Sequence, residues 1–172
     1  MIESKTKLKG VIEIHASIDK GKTFEKIHEF NNLWTNVGLE NQGDLFEGNA
    51  TGYAISHVTV GDGSSTAAKT DTVVDGAYFS EAISTQVGAF NGSNYEVTNT
   101  IELGAAEAVG TIRKIGLIAF GPTTTLGSFD DTDPDLAGQE WRLSNYADVL
   151  MPTGKVKDSS TILKFIWRTI WS

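Results

Sequence analysis

The densest group of reactive side chains is Asp130-Asp131-Thr132-Asp133-Pro134-Asp135, with four carboxylates in six residues. Carboxylates this close repel one another, and a hard cation such as Ca²⁺ would relieve the repulsion. Asp131, Asp133 and Asp135 repeat the spacing that opens an EF-hand loop, which makes them the metal candidates of the chain, and weak ones. Pro134 interrupts the loop, Leu136 stands where a glycine is needed, and Arg142 replaces the bidentate acid. The favoured expectation is a solvated acidic loop with no metal, and no cofactor is expected.

The other reactive residues are scattered. His15, His28 and His57 have neither HxH nor HExxH spacing, and no serine sits in a G-x-S-x-G elbow. Gly61-Asp62-Gly63 lacks the lysine and the strand-to-helix context of a phosphate cradle, so a turn is expected. A glycosidase would need two carboxylates at a set separation, and nothing in the sequence places such a pair. No catalytic residue is assigned and the expectation is a protein that is not an enzyme. The four tryptophans are more informative. Core packing is the first account of any one of them, but a small domain has limited room for indoles. A surplus marks a protein interface, where Trp is enriched, or a sugar-stacking platform. The interface candidates are Trp34, Trp141, Phe165, Trp167 and Trp171.

These residues must be positioned by a chain of 172 residues, which suggests one domain. A chain of that length buries roughly 70% of its unfolded surface. The absence of cysteine excludes disulfides and thiolate metal sites. The net charge of −8 argues against a sequence-independent grip on nucleic acid, because a phosphate backbone would be repelled. Apolar runs fall short of the ~18 residues of a membrane span. The first ten residues lack the apolar core of a signal peptide. Neither nucleic acid nor membrane is an expected partner.

Period-two alternation dominates. Leu8, Ile12, Ile14, Ala16 and Ile18 share one side and Lys9, Glu13, His15, Ser17 and Asp19 the other, as in a strand with one wet face. Asp19-Lys20-Gly21-Lys22 reads as a turn into a second strand, Thr23 to Phe30. Thr35 or Asn36 could cap a short helix, with Gly48 as its stop. Ile55, Val58 and Val60 lie on a strand ended by Gly61-Asp62-Gly63, and residues 64–75 read as a loop. Residues 78–89 read as extended, and Asn91-Gly92 is a hairpin turn. Tyr95 to Leu103 alternates cleanly. Residues 104–110 connect it to a strand from Thr111 to Phe120 that becomes apolar on both faces, as a covered or central strand does. Residues 121–138 are the longest expected loop, and Thr161 to Trp171 is the last strand. Seven or eight short strands and one helix predict an all-β fold: an antiparallel β-sandwich or jelly-roll-like barrel with one short helix. The whole chain, 1–172, is expected to form a single domain. Residues 1–30 are its N-terminal hairpin.

Several of these segments together resemble a module of tailed-bacteriophage virion proteins, found in tail-fibre, baseplate and head-surface proteins. The blocks are Thr35-Asn36-Val37-Gly38-Leu39 with the following Leu45 and Gly48, then Ile55 through the Val60-Gly61-Asp62-Gly63 turn. Thr70-Asp71-Thr72, Gly110-Thr111-Ile112-Arg113-Lys114-Ile115-Gly116-Leu117 and the closing Ile162 to Ile170 strand complete the set. Lys114 departs from the pattern, since many relatives are acidic there. The resemblance covers 31–172 in scattered blocks and implies a non-enzymatic structural protein of a phage particle. It would be assembled in the bacterial host cytoplasm with other virion proteins, as a homo-oligomer or in many copies. Tail, baseplate or fibre attachment is the expected place. A capsid decoration protein on the head exterior and a carbohydrate-binding module for host glycans are the alternatives. The last strand and the first hairpin are the expected contact elements, since terminal strands often lie at open sheet edges.

Overall fold

The structure is a computed structural model and describes residues 7–47, 54–120, 141–148 and 154–172. The alternating stretch at the start forms β1 (Leu8–Ser17), paired antiparallel with β2 (Glu25–Trp34). The turn between them places both Lys20 and Gly21 at positive φ, 63° and 82°. Asp19 holds that turn closed by accepting from Ser17 Oγ at 2.6 Å and from the Thr23 amide at 3.0 Å. β2 runs four residues past the expected end at Phe30 and delivers Trp34 to the helix. There Thr35 Oγ1 accepts the Gly38 amide at 2.9 Å, an N-cap that starts α1 (Asn36–Phe46). The expected stop at Gly48 lies outside the described residues.

β3 (Ala54–Gly61) leads into the Gly-Asp-Gly turn, and β4 (Ala77–Ala82) returns beside it. β5 (Thr85–Asn91) and β6 (Asn94–Leu103) form a hairpin whose turn has Gly92 at φ +66°. The strand expected from Thr111 to Phe120 is two. β7 (Gly110–Ile112) and β8 (Lys114–Phe120) separate at Arg113, whose amide donates to Gly61 O at 2.8 Å. β9 (Trp141–Asp148) and β10 (Lys155–Lys157) carry no clear sequence signal, and β11 (Ile162–Trp171) ends the fold.

Nine strands join in the order β4-β3-β8-β9-β2-β1-β11-β6-β5, every pair antiparallel, and β10 pairs with β7 separately. The ladder bends into two layers at two corners. β2 pairs with β1 through residues 25–32 but with β9 through Leu33 and Trp34. At the other corner the Ile83 amide donates to Ser56 O on β3, and the next amide, Ser84, donates to Thr100 O on β6. One run of chain therefore serves one layer as β4 and the other as β5. The core lies between the layers. Ile12, Ile14, Ile101, Leu103, Leu163, Phe165 and Trp167 come from one side and Val58, Val60, Ile115, Leu117 and Ala147 from the other. The fold is an all-β antiparallel sandwich with one short helix.

β8 is buried on both faces, as its composition predicts, because it is central and covered. The loop 62–76 is tied to it by the Lys114 to Ser65 O bond, and α1 packs against β9. The outer face of the β1–β11–β6 layer is instead a charged ladder. Glu13 pairs with Arg168, and Lys164 lies 3.5 Å from Glu102. One expectation is corrected by this topology. β11 sits between β1 and β6, so the last strand is not a sheet edge; in the first hairpin β1 is interior, while β2, among the described residues, pairs only with β1 over residues 25–32. The ends of the nine-stranded ladder are β4 and β5. A strand's place in a sheet depends on which partners it finds, not on its nearness to a chain end.

Candidate interaction surface

The five aromatic interface candidates divide. Phe165 and Trp167 are fully buried at 0% exposure and build the core, so they are corrected from surface to interior residues. Strict alternation puts positions 163, 165 and 167 on the inner face, and the layer opposite covers that part of β11. Trp34 is also buried, at the corner where β2 changes partners, and its indole N–H has no hydrogen-bond partner among the described residues. Trp141 begins β9 with its backbone opposite Phe120, and its side chain lies outside the described residues. Among the four candidates with described side chains, only Trp171 reaches a surface. It is half-buried on the same inner face, at the end of β11 beyond the part that the other layer covers.

Trp171 does not stand alone. Tyr95 is its register partner on β6, with ring centroids 5.9 Å apart, and Phe90 is the partner of Tyr95 on β5, with centroids 5.1 Å apart. Leu8 stands opposite Trp171 on β1. Four strands thus line up one transverse row of apolar side chains, and its exposure rises towards the sheet edge. Tyr95 is 39% exposed and Phe90 80%. All seven residues of β5 are exposed, Val87 among them at 60%. Sequence reading passed over Val87, Phe90 and Tyr95. The available signal was the lack of any charge from Thr85 to Asn91, directly before a strong hairpin turn.

Among the described residues, those that could do chemistry are not brought together. His15 Nε2 lies 3.0 Å from Glu13 Oε2 on the charged ladder, and this bond is the main cause that holds the Glu13 carboxyl below its ordinary range. The His28 ring lies against Phe30, with centroids 5.3 Å apart. His57 is buried on β3 beside Ser56, its Nδ1 2.9 Å from the hydroxyl, and burial lowers its pKa. Among the described residues no three His, Cys, Asp or Glu are grouped to hold a metal ion. Asp131, Asp133 and Asp135 lie outside the described residues.

The Gly61-Asp62-Gly63 segment is a structural turn. The Asp62 and Gly63 amides donate to Gly76 O and Asp75 O, both at 3.1 Å, and a side chain on Gly63 would collide with Asp75. Asp75 Oδ2 accepts from the Ser65 amide and hydroxyl, which hold its carboxyl below the usual range. Two buried lysines fasten loops from below. Lys114 donates to Ser65 O, and Lys157 to Gly104 O at 2.7 Å and Ala105 O at 3.1 Å. No described helix is long and apolar enough to cross a membrane. The chain matches no protein-family model, no curated protein and no solved structure.

Proposed function

We propose that this chain is a non-enzymatic structural protein of a tailed-bacteriophage particle, acting by assembly with other virion proteins at the tail, baseplate or fibre attachment. One observation carries the reading: sequence blocks that resemble the phage module, although scattered along the chain, adjoin one another in space. The strand block ending at Gly61-Asp62-Gly63 is β3, and the Gly110 to Leu117 block supplies β8, its direct neighbour, with Val60 opposite Ile115. Arg113 Nη1 donates to Asp62 O at 2.9 Å, which ties the second block to the first. Thr70-Asp71-Thr72 lies in the loop 62–76, whose Ser65 carbonyl accepts from Lys114 of β8. The helix block meets that loop where the Asn36 amide donates to Lys69 O at 2.8 Å. The closing strand, β11, lies in the opposite layer.

The exposed end of the β5–β6 hairpin supports an assembly role, since exposed aromatic clusters mark protein contacts. A glycan-binding module would use the same aromatics, but the ring planes disfavour it. Phe90 and Tyr95 meet at 65° and Tyr95 and Trp171 at 50°, so they offer no common flat platform to a sugar. Capsid decoration shares every supporting observation with the tail reading. Quantitative mass spectrometry of gradient-purified particles tests the proposal and separates the two. A small fixed number of copies per particle supports the tail, and copies on the scale of the capsomers support decoration. Absence from particles overturns both.

A further inference from the structure

β5 is an edge strand without the usual protection. Sheet edges are normally blunted by charge, proline, a bulge or a cover. Thr85-Gln86-Val87-Gly88-Ala89-Phe90-Asn91 has no charge and no proline. Its ladder to β6 is unbroken over seven residue pairs, and no residue of it is covered. The other end of the ladder differs. β4 carries Glu81, buries Ser80 and is held at Tyr78 by a bond to Ala108 O.

The hairpin turn determines which backbone groups of β5 are open. Asn91 and Asn94 are direct partners across a two-residue turn, so they exchange both backbone hydrogen bonds. Alternation then turns the odd-numbered residues of β5 towards β6. The N–H and C=O groups of Gln86, Gly88 and Phe90 face outwards from the sheet.

We propose that this open edge pairs antiparallel with β5 of a second copy of the chain, about a two-fold axis at Gly88. Charge selects a second copy over a different partner. In a strand that pairs with itself, a charge at or next to the symmetry axis sits close to its own like, and the chain already carries −8. A neutral strand escapes that penalty, whereas a strand meant for a basic partner would carry acids. The register also fits. Centred on Gly88, all seven residues find partners: Thr85 with Asn91, Gln86 with Phe90, Val87 with Ala89, and Gly88 with itself. The three open residues of each copy supply about six N–H···O bonds. Val87 covers Ala89 of the second copy on one face. On the other, Gly88 has no side chain to displace the Tyr95 ring lying over it, so the aromatic row runs up to the seam from both sides.

This deepens the assembly reading by naming a surface and a partner, and rests on it only in requiring several copies. Purified protein alone tests it, so the outcome is separate from whether the chain occurs in particles. Sedimentation velocity from micromolar to millimolar concentration is expected to show a species of twice the 18.5 kDa chain mass. Gln86→Pro removes an open-edge donor and Val87→Lys puts a cation beside the seam. Each is expected to return the species to a monomer with an unchanged circular dichroism spectrum. A wild type that stays monomeric throughout, or a dimer that persists in both variants, overturns the proposal. If both variants unfold, amide hydrogen exchange on the wild type decides. Gly88 and Phe90 amides that slow as concentration rises support the seam, and exchange that is fast at every concentration overturns it.

Discussion

The hydroxyl of Tyr95 occupies the space that a side chain on Gly88 would fill. The residues face one another diagonally across the β5–β6 ladder, Gly88 being opposite Val97 and Tyr95 opposite Phe90. A glycine in a strand interior ordinarily weakens it, and an aromatic laid over it restores lost contact. Gly88→Val is therefore expected to expel the Tyr95 ring rather than strengthen the strand. The expected cost is about 1 kcal/mol, the scale of one cross-strand pair. Urea unfolding with near-ultraviolet circular dichroism checks it. A more stable variant with an unchanged aromatic signal would contradict this account.

Phe165 and Trp171 lie on the same face of β11, yet one is fully buried and the other lies near the open end. Phe165→Ala leaves a cavity in the core and is expected to cost about 3–5 kcal/mol. Trp171→Ala loses contacts with Tyr95 at a partly open surface and is expected to cost well under half of that. Chemical denaturation of the two variants compares them directly, and equal losses would refute the assignment.

Thr169 is 2% exposed and its hydroxyl has no hydrogen-bond partner among the described residues. An unsatisfied buried hydroxyl costs about 1–3 kcal/mol, and valine has nearly the same shape. Thr169→Val, on a strand that favours β-branched residues, is expected to raise stability by roughly 1 kcal/mol. A fall in melting temperature would show that the hydroxyl is satisfied.

Acid should loosen the fold in two stages. Burial lowers the pKa of His57 from 6.5, so the stability it contributes is complete above pH 6.5 and is lost as pH falls through its folded value. Hydrogen bonds from Ser17 and Thr23 push Asp19 down from 3.8 to about 2, and those from Ser160 and Thr161 push Asp158 to about 2 as well. Their contribution is complete above pH 3.8 and is lost between there and pH 2. Asp19→Asn and Asp158→Asn should each lower stability at neutral pH and flatten the loss below pH 4. Melting temperatures measured across that range check the sign, and a variant curve parallel to the wild type would contradict it.

Local features were legible where the signal was local. Alternation from Leu8 to Ser17 and from Tyr95 to Leu103, the Asn91-Gly92 turn and the Thr35 cap all appear in the structure. Pairing was not legible, because the order of strands depends on contacts far apart in the chain. That is why β11 is interior, and why Phe165 and Trp167 belong to the core. Lys114 looked like a departure from the module's pattern, but its ammonium holds the Ser65 carbonyl. The break at Arg113 depends on Gly61 more than fifty residues away. The open aromatic edge at β5 was missed because neutrality in seven residues becomes meaningful only once they are known to end a sheet.

The central claim is that this protein works by being built into a particle. Disruption of its gene, followed by particle production and electron microscopy, tests that claim most directly. The account predicts particles that lack a discrete component or stop at an incomplete stage, restored by the wild-type gene in trans. Complete, infectious particles of unchanged composition, with the protein found only free in the lysate, would contradict it.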